Sequence, residues 1–136
     1  NTYGGNPVSC AIALAVLDVI ADEALQQQAA AVGAFLQDGL RALQKEHERI
    51  GDVRGCGLFL GAEIVTDRES RTPDSAVARA IVEQMKDRQI LLSTDGPDDN
   101  VLKIKPPLVF NRDNATEFLE KLAAVLARVR PAGRPV

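Results

Sequence analysis

The sequence has only two cysteines and one histidine, too few donors for a structural zinc site, which takes four such ligands. Cys10 lies in an apolar run and Cys56 in a glycine-rich one, so both are expected to be reduced, mostly buried thiols of a cytoplasmic protein. Basic clusters are missing as well. With a net charge of −3, the chain is not expected to bind nucleic acid or a membrane surface. No stretch approaches the roughly 18 apolar residues of a membrane span, and no basic-then-apolar signal opens the chain. There is no repeat at the periods of solenoids, and there is no initiator Met, which fits a fragment of a longer protein.

What is present is an ordinary globular composition: 136 residues, enough for one domain with its own core, with 46% apolar and 26% charged residues. Residues Val8 to Ile20 are nearly all apolar or small, behind Asn6 as an N-cap and Pro7 at the first helical position. A second helix follows, with Leu25, Ala29, Val32, Leu36, Leu40 and Leu43 on one face and Gln26, Gln37, Lys45 and Glu46 on the other. Gly51 to Gly57 then reads as a bend, from which Leu58 to Val65 leaves as a strand. Thr72-Pro73 is a helix start ahead of Val77, Ile81 and Met85. Ile90 to Leu92 and Val101 to Ile104 read as paired strands around the turn-rich loop Ser93 to Asn100. Asn111 can cap a last helix carrying Phe118, Leu122 and Val125.

Connections this short favour antiparallel pairing, so the expected fold class is α+β: a small, mostly antiparallel sheet covered on one side by helices. The first helix is apolar all round, which one small sheet can hardly bury. Another domain or a partner subunit is expected to cover it.

Two places carry anion-binding chemistry. Thr2, Gly4 and Gly5 precede the helix start at Pro7, and a hydroxyl beside bare backbone N–H groups at a helix N-terminus suits a phosphate or carboxylate. The same residues also make an ordinary turn. In Lys103-Ile104-Lys105-Pro106-Pro107, strand alternation puts Lys103 and Lys105 on one face, where they could hold an anionic substrate or serve as the solvated lysines of an edge strand. Arg54, in its glycine-rich bend, could touch a ligand, another domain or nearby carbonyls. His47 sits in a charged helix end without an orienting partner, and Asp98-Asp99 lacks the further carboxylates of a metal loop. The residues thus offer anion-binding pieces, no metal site and no catalytic engine.

Thr2-Tyr3-Gly4-Gly5-Asn6-Pro7 before an apolar helix resembles the Thr-Phe-Gly-Gly-Asn-Pro motif of class III pyridoxal-phosphate aminotransferases, and Val53-Arg54-Gly55-Cys56-Gly57-Leu58 resembles their Val-Arg-Gly-x-Gly-Leu segment. Both motifs stand in the family's order and spacing, and the resemblance runs from Asn1 to about Arg130, the last third of such an enzyme. The stretch Leu91 to Pro107 is similar to the ethanolamine-phosphate and phosphohydroxylysine phospho-lyases, relatives of alanine–glyoxylate aminotransferase 2. Where ordinary members carry a carboxylate-gripping arginine three positions before the diproline, this sequence has Lys103. Lysine is a compact point charge rather than a planar fork, which speaks against transamination of an ordinary α-amino acid and is compatible with a phosphorylated or otherwise anionic amine.

The resemblance implies pyridoxal 5'-phosphate as cofactor, contacted by Thr2, Gly4 and Gly5 across a homodimer interface, with Lys103 toward a small amino substrate. It also implies that the lysine holding the cofactor covalently lies upstream, in a large domain, leaving no catalytic residue here and the chain inactive alone. On this reading residues 1–23 form an interdomain and dimer-interface segment with the apolar helix, 24–130 the C-terminal small domain of a fold-type I enzyme, and 131–136 a frayed tail. The alternative is a non-catalytic dimerisation or interaction module.

Overall fold

The structure, a computed structural model, describes residues 2–129. The expected tail at 131–136 lies outside them. Helix α1 spans Pro7–Asp22, and its first turn is set by Asn6, whose Oδ1 accepts the Ser9 N–H at 3.0 Å, ahead of a proline at the first helical position. Such a cap satisfies one of the N–H groups a helix start leaves without partners. Helix α2, Leu25–Glu46, follows after Ala24 in the left-handed region and buries Leu25, Val32, Leu36, Leu40 and Leu43 along one stripe.

Four strands follow, interleaved with two helices: β1 Ile50–Cys56, β2 Phe59–Ile64, α3 Ser75–Lys86, β3 Ser93–Asp95, β4 Val101–Ile104 and α4 Arg112–Leu126. The sheet order is β1-β2-β4-β3 with every neighbouring pair antiparallel, so the expected α+β class holds. Strand alternation sends Leu60, Ala62, Ile64, Leu102 and Ile104 to one face, where they join Leu36 and Leu40 of α2, Ile81 and Met85 of α3, and Leu122 and Val125 of α4. All of these core positions are nearly or fully inaccessible to water. The opposite face of the sheet carries no helix among the described residues.

Two polar ties close the ends. Asp74 accepts the Val77 N–H with one carboxylate oxygen and Arg49 with the other at 2.8 Å, joining the chain after α2 to the start of α3. Buried Asn100 donates its amide to the Ile64 carbonyl at 2.9 Å, and the Ile64 N–H donates to the Asn100 carbonyl. The Asp74 carboxylate and the Asn100 amide thus find partners inside the fold, as buried polar groups require.

Several local expectations change. The glycine-rich segment taken as a bend is itself the edge strand β1: glycines there permit close approach instead of breaking the ladder. A Cβ on Gly33 of α2 would lie 2.1 Å from the Gly57 carbonyl oxygen, and Gly57 itself has φ +53, so both must be glycine for α2 to seat on the β1–β2 turn. Helix α3 starts after Asp74 rather than at Thr72-Pro73, because Pro73 bridges to Val65 and Asp74 supplies the capping carboxylate. Strand β3 is Ser93–Asp95, not Ile90 to Leu92. Ile90 is instead tied back to the end of α3 through the Met85 carbonyl, and Leu91 points to solvent.

Both cysteines are exposed, contrary to the expectation of buried thiols. Cys10 belongs to α1, which buries none of its residues, and Cys56 ends β1 on the helix-free side of the sheet. Among the named elements α1 touches only α2, as its all-apolar sequence without a facing sheet implies. No helix among the described residues is long and apolar enough to cross a membrane.

Candidate functional site

The helix-free face of the sheet is a grid of side chains set by strand register. Arg54 pairs across with Gly61, Gly61 with Lys103, and Lys103 with Ser93, so two cations flank a glycine in one row. The next row is acidic: Asp52 stands opposite Glu63, and Asp95 opposite Val101. At the other end Phe59 lies beneath Lys105, whose Nζ is 5.9 Å from the ring centroid, a cation–π contact.

Because Gly61 has no side chain, the row sinks in its middle. A cavity of about 570 Å3 opens there, lined by Arg54, Cys56, Phe59, Gly61, Asp95 and Lys103. A second, of about 520 Å3, lies past the diproline between Leu91, Ser93, Lys103, Lys105, Pro106 and Phe110. Both are in the size range of small-molecule sites. Lys103 lines both.

The cations are not equivalent. Arg54 donates to Asp52 at 2.7 Å and to Glu63 at 2.6 Å, so its charge is spent on two carboxylates of its own face. These side-chain hydrogen bonds, to Asp52 first, hold the guanidinium charged even more firmly than usual. Lys103 makes one ion pair, Nζ to Asp95 Oδ2 at 2.7 Å. The hydrogen bond from Lys103, with that from the Gly96 N–H, holds the Asp95 carboxyl below the usual carboxylate range. Strand β4 is hydrogen-bonded on both sides, so Lys103 is on an inner strand and the edge-strand reading does not hold. A lysine there is not a solubility device; it is presented on a sheet face.

Thr2, Gly4 and Gly5 form a turn leading into Asn6 and α1 and are exposed. Gly5 has φ +78, with nothing within 4 Å of the position a Cβ would take, so glycine is needed there for backbone conformation and not for room. A threonine hydroxyl and N–H groups at the positive end of a 16-residue helix are donors of the kind a phosphate ester requires, and they fit the phosphate of pyridoxal 5'-phosphate in kind. Helix α1 and strand β4 share no contact, so this fold alone does not bring the Thr2 turn and Lys103 into one site.

Sequence reasoning singled out Lys103 and Arg54 but missed Asp95, Glu63 and Gly61 as their neighbours. Only the register of three strands places these residues side by side. The one available signal was the spacing of Asp95 and Lys103 about the turn-rich loop, and the strand boundary expected at Leu92 hid it.

A chain from Drosophila melanogaster, "Alanine--glyoxylate aminotransferase 2-like", is 55% identical over 93% of this chain and 26% of its own length. "Ethanolamine-phosphate phospho-lyase homolog 1" of Caenorhabditis elegans is 50% identical over 93% of this chain and 27% of its length. Among solved structures, a phospholyase from Arthrobacter in complex with phosphoethanolamine superposes with a TM-score of 0.89 at 40% identity, over 93% of this chain and 30% of that one. The chain thus spans between a quarter and a third of the length of these relatives. Residues 1–126 match the family described as Aminotransferase class-III, and on that match, the shared fold and the identities, this chain belongs to the class III aminotransferases.

Proposed function

We propose that this chain is the C-terminal small domain of a pyridoxal-phosphate enzyme acting on an amine that carries a second, anionic group, with phosphate elimination from a phosphorylated amine as the favoured activity. The observation that carries the reading is Lys103: a single ammonium on an inner strand, presented on the helix-free face beside the gap at Gly61. A point charge of this kind pairs with a phosphate as readily as with a carboxylate, without the planar, bidentate geometry that an arginine fork brings to either. The relatives named for phospho-lyase activity support the same choice.

When bound, the cofactor supplies the electron sink for the carbanion chemistry. This chain's residues supply position and charge. The Thr2 hydroxyl and the backbone around Gly4 and Gly5 donate to the cofactor phosphate, Lys103 holds the substrate anion, and the lysine that carries the cofactor comes from an upstream large domain. The Thr2 turn and Lys103 do not meet within this fold, which favours a homodimer in which the turn serves the cofactor of the partner subunit. The exposed apolar surface of α1 is what such an assembly, together with the large domain, would cover. The two thiols, unpaired with each other, fit a reducing cytoplasm.

The complete enzyme tests this with phosphoethanolamine against ordinary amino donors. Inorganic phosphate released from phosphoethanolamine is the expected result, and robust transamination with no phosphate release overturns it. A second reading, a dimerisation module, draws on the same exposure of α1, and Thr2→Ala separates the two. A cofactor contact predicts weaker pyridoxal-phosphate binding, by about 1.5–3 kcal/mol for a hydroxyl bonded to a charged group, whereas a structural motif predicts lost dimer stability alone.

A further inference from the structure

Lys103 does not face its cavities as an isolated charge. Asp95 reaches it with Oδ2 at 2.7 Å, while Asp95 Oδ1 accepts the Gly96 N–H at 2.8 Å. The second bond matters because it ties the carboxylate to its own turn, where Gly96 adopts φ +89. A carboxylate anchored this way stays beside Lys103 when another anion arrives. The other acids of this face, Asp52 and Glu63, are both engaged by Arg54. The one cation on the far side of Lys103, Lys105, is drawn over Phe59.

Resting on the reading that Lys103 receives the substrate anion, we infer that Asp95 is a built-in counter-ion that weakens the hold of Lys103 on any bound anion, and does so more for a dianion than for a monoanion. Coulomb repulsion grows with the product of the charges, so a phosphate dianion beside Asp95 is opposed about twice as strongly as a carboxylate at the same distance. In an enzyme that eliminates phosphate, the product left on Lys103 is such a dianion. Asp95 lets it go by re-forming the pair with Lys103. Before an anion arrives, the hydrogen bonds from Lys103 and from the Gly96 N–H hold the Asp95 carboxyl below the usual carboxylate range. Asp95 is therefore a tuning residue that repels the bound anion and competes with it for Lys103, and its removal tightens product binding instead of loosening it.

The experiment uses the complete enzyme with cofactor bound and two inhibitors without an amine, ethyl phosphate and propionate, at about pH 8, where a phosphate monoester is a dianion. Asp95→Asn is expected to lower the inhibition constant of ethyl phosphate about fivefold and that of propionate about twofold, the scale of an exposed ion pair. Asp95→Ser also removes the charge while keeping an acceptor for the Gly96 N–H, and is expected to act in the same direction. In a Lys103→Gln background, Asp95→Asn is expected to tighten ethyl phosphate less than in the wild type, because only the direct repulsion remains once there is no lysine to release from the pair. Unchanged or weaker ethyl phosphate binding in both Asp95 variants, with Lys103→Gln still weakening it, overturns the counter-ion and leaves the role of Lys103 standing. If Lys103→Gln leaves ethyl phosphate binding unchanged, both fall.

Discussion

Helix α1 and helix α2 are neighbours in sequence and opposites in packing. Every apolar side chain of α1 is left outside the core, with Leu14 at 63% and Leu17 at 60% exposure, while Leu36 and Leu40 of α2 are at 0%. Their sequences differ in the same sense. The α1 sequence is apolar around its whole circumference, whereas α2 concentrates its leucines on one stripe and turns glutamines and charges outward. A helix with one apolar stripe needs one partner surface, and α2 finds it in the sheet and α4. A helix apolar all round needs several, and this chain provides α2 alone. Helix α1 therefore leaves its apolar surface exposed in this chain, while the core is held by the elements from α2 to α4.

The sharpest way to break this comparison is truncation at matched sites in the 136-residue chain. Leu36→Ala is expected to cost about 2–5 kcal/mol in chemical denaturation, as a fully buried leucine does. Leu14→Ala is expected to stay within about 0.5 kcal/mol, as exposed positions do. Equal losses would show that α1 belongs to the folding unit after all.

Capping gives a smaller and more local contrast. Asn111 caps α4 through a reciprocal pair with Asn114, and Asn111→Ala is expected to lower global stability by about 1 kcal/mol. Asn6 caps α1 by the same chemistry, yet Asn6→Ala is expected to leave the denaturation midpoint in place and to speed amide hydrogen exchange in α1 alone. A shifted midpoint in Asn6→Ala would join the two helices into one cooperative unit.

The smallest effect is the pH dependence of the Asp95–Lys103 pair on the sheet face. The folded-state pKa of Asp95 is lowered, first by the hydrogen bond from Lys103, so its contribution is present above the unfolded carboxylate value and is lost as pH falls through the folded one. The wild-type advantage over Asp95→Asn is expected to begin to fall below about pH 4 in urea titrations, the unfolded value being near 3.9, and to be gone once the pH is well below the folded value. An advantage that persists in stronger acid would remove the charge from the explanation.

Much of this was legible in the order of residues. The stripe of α2, the Asn6-Pro7 start of α1 and the Asn111 cap of α4 are local patterns, and local patterns survive folding. The glycines of β1 misled because a glycine read in isolation signals a turn. Gly33 and Gly57 are where two backbones meet, and only one of the two is visible in any local window. Thr72-Pro73 misled by two positions because the buried pair of Arg49 and Asp74 fixes the start of α3 from 25 residues away.

The sequence by itself determined the class of fold, the family and the residue types available for chemistry: a hydroxyl and glycines before a helix, and a lysine three positions ahead of a diproline. The tertiary structure alone decided what those residues face. Strand register is a long-range property, and it set Lys103 beside Gly61 and within 2.7 Å of Asp95, turning a lysine in a strand into a charge with its own competitor. It also left α1 outside the core, because burial depends on how many surfaces a chain can bring to a helix, and this one brings a single helix to α1.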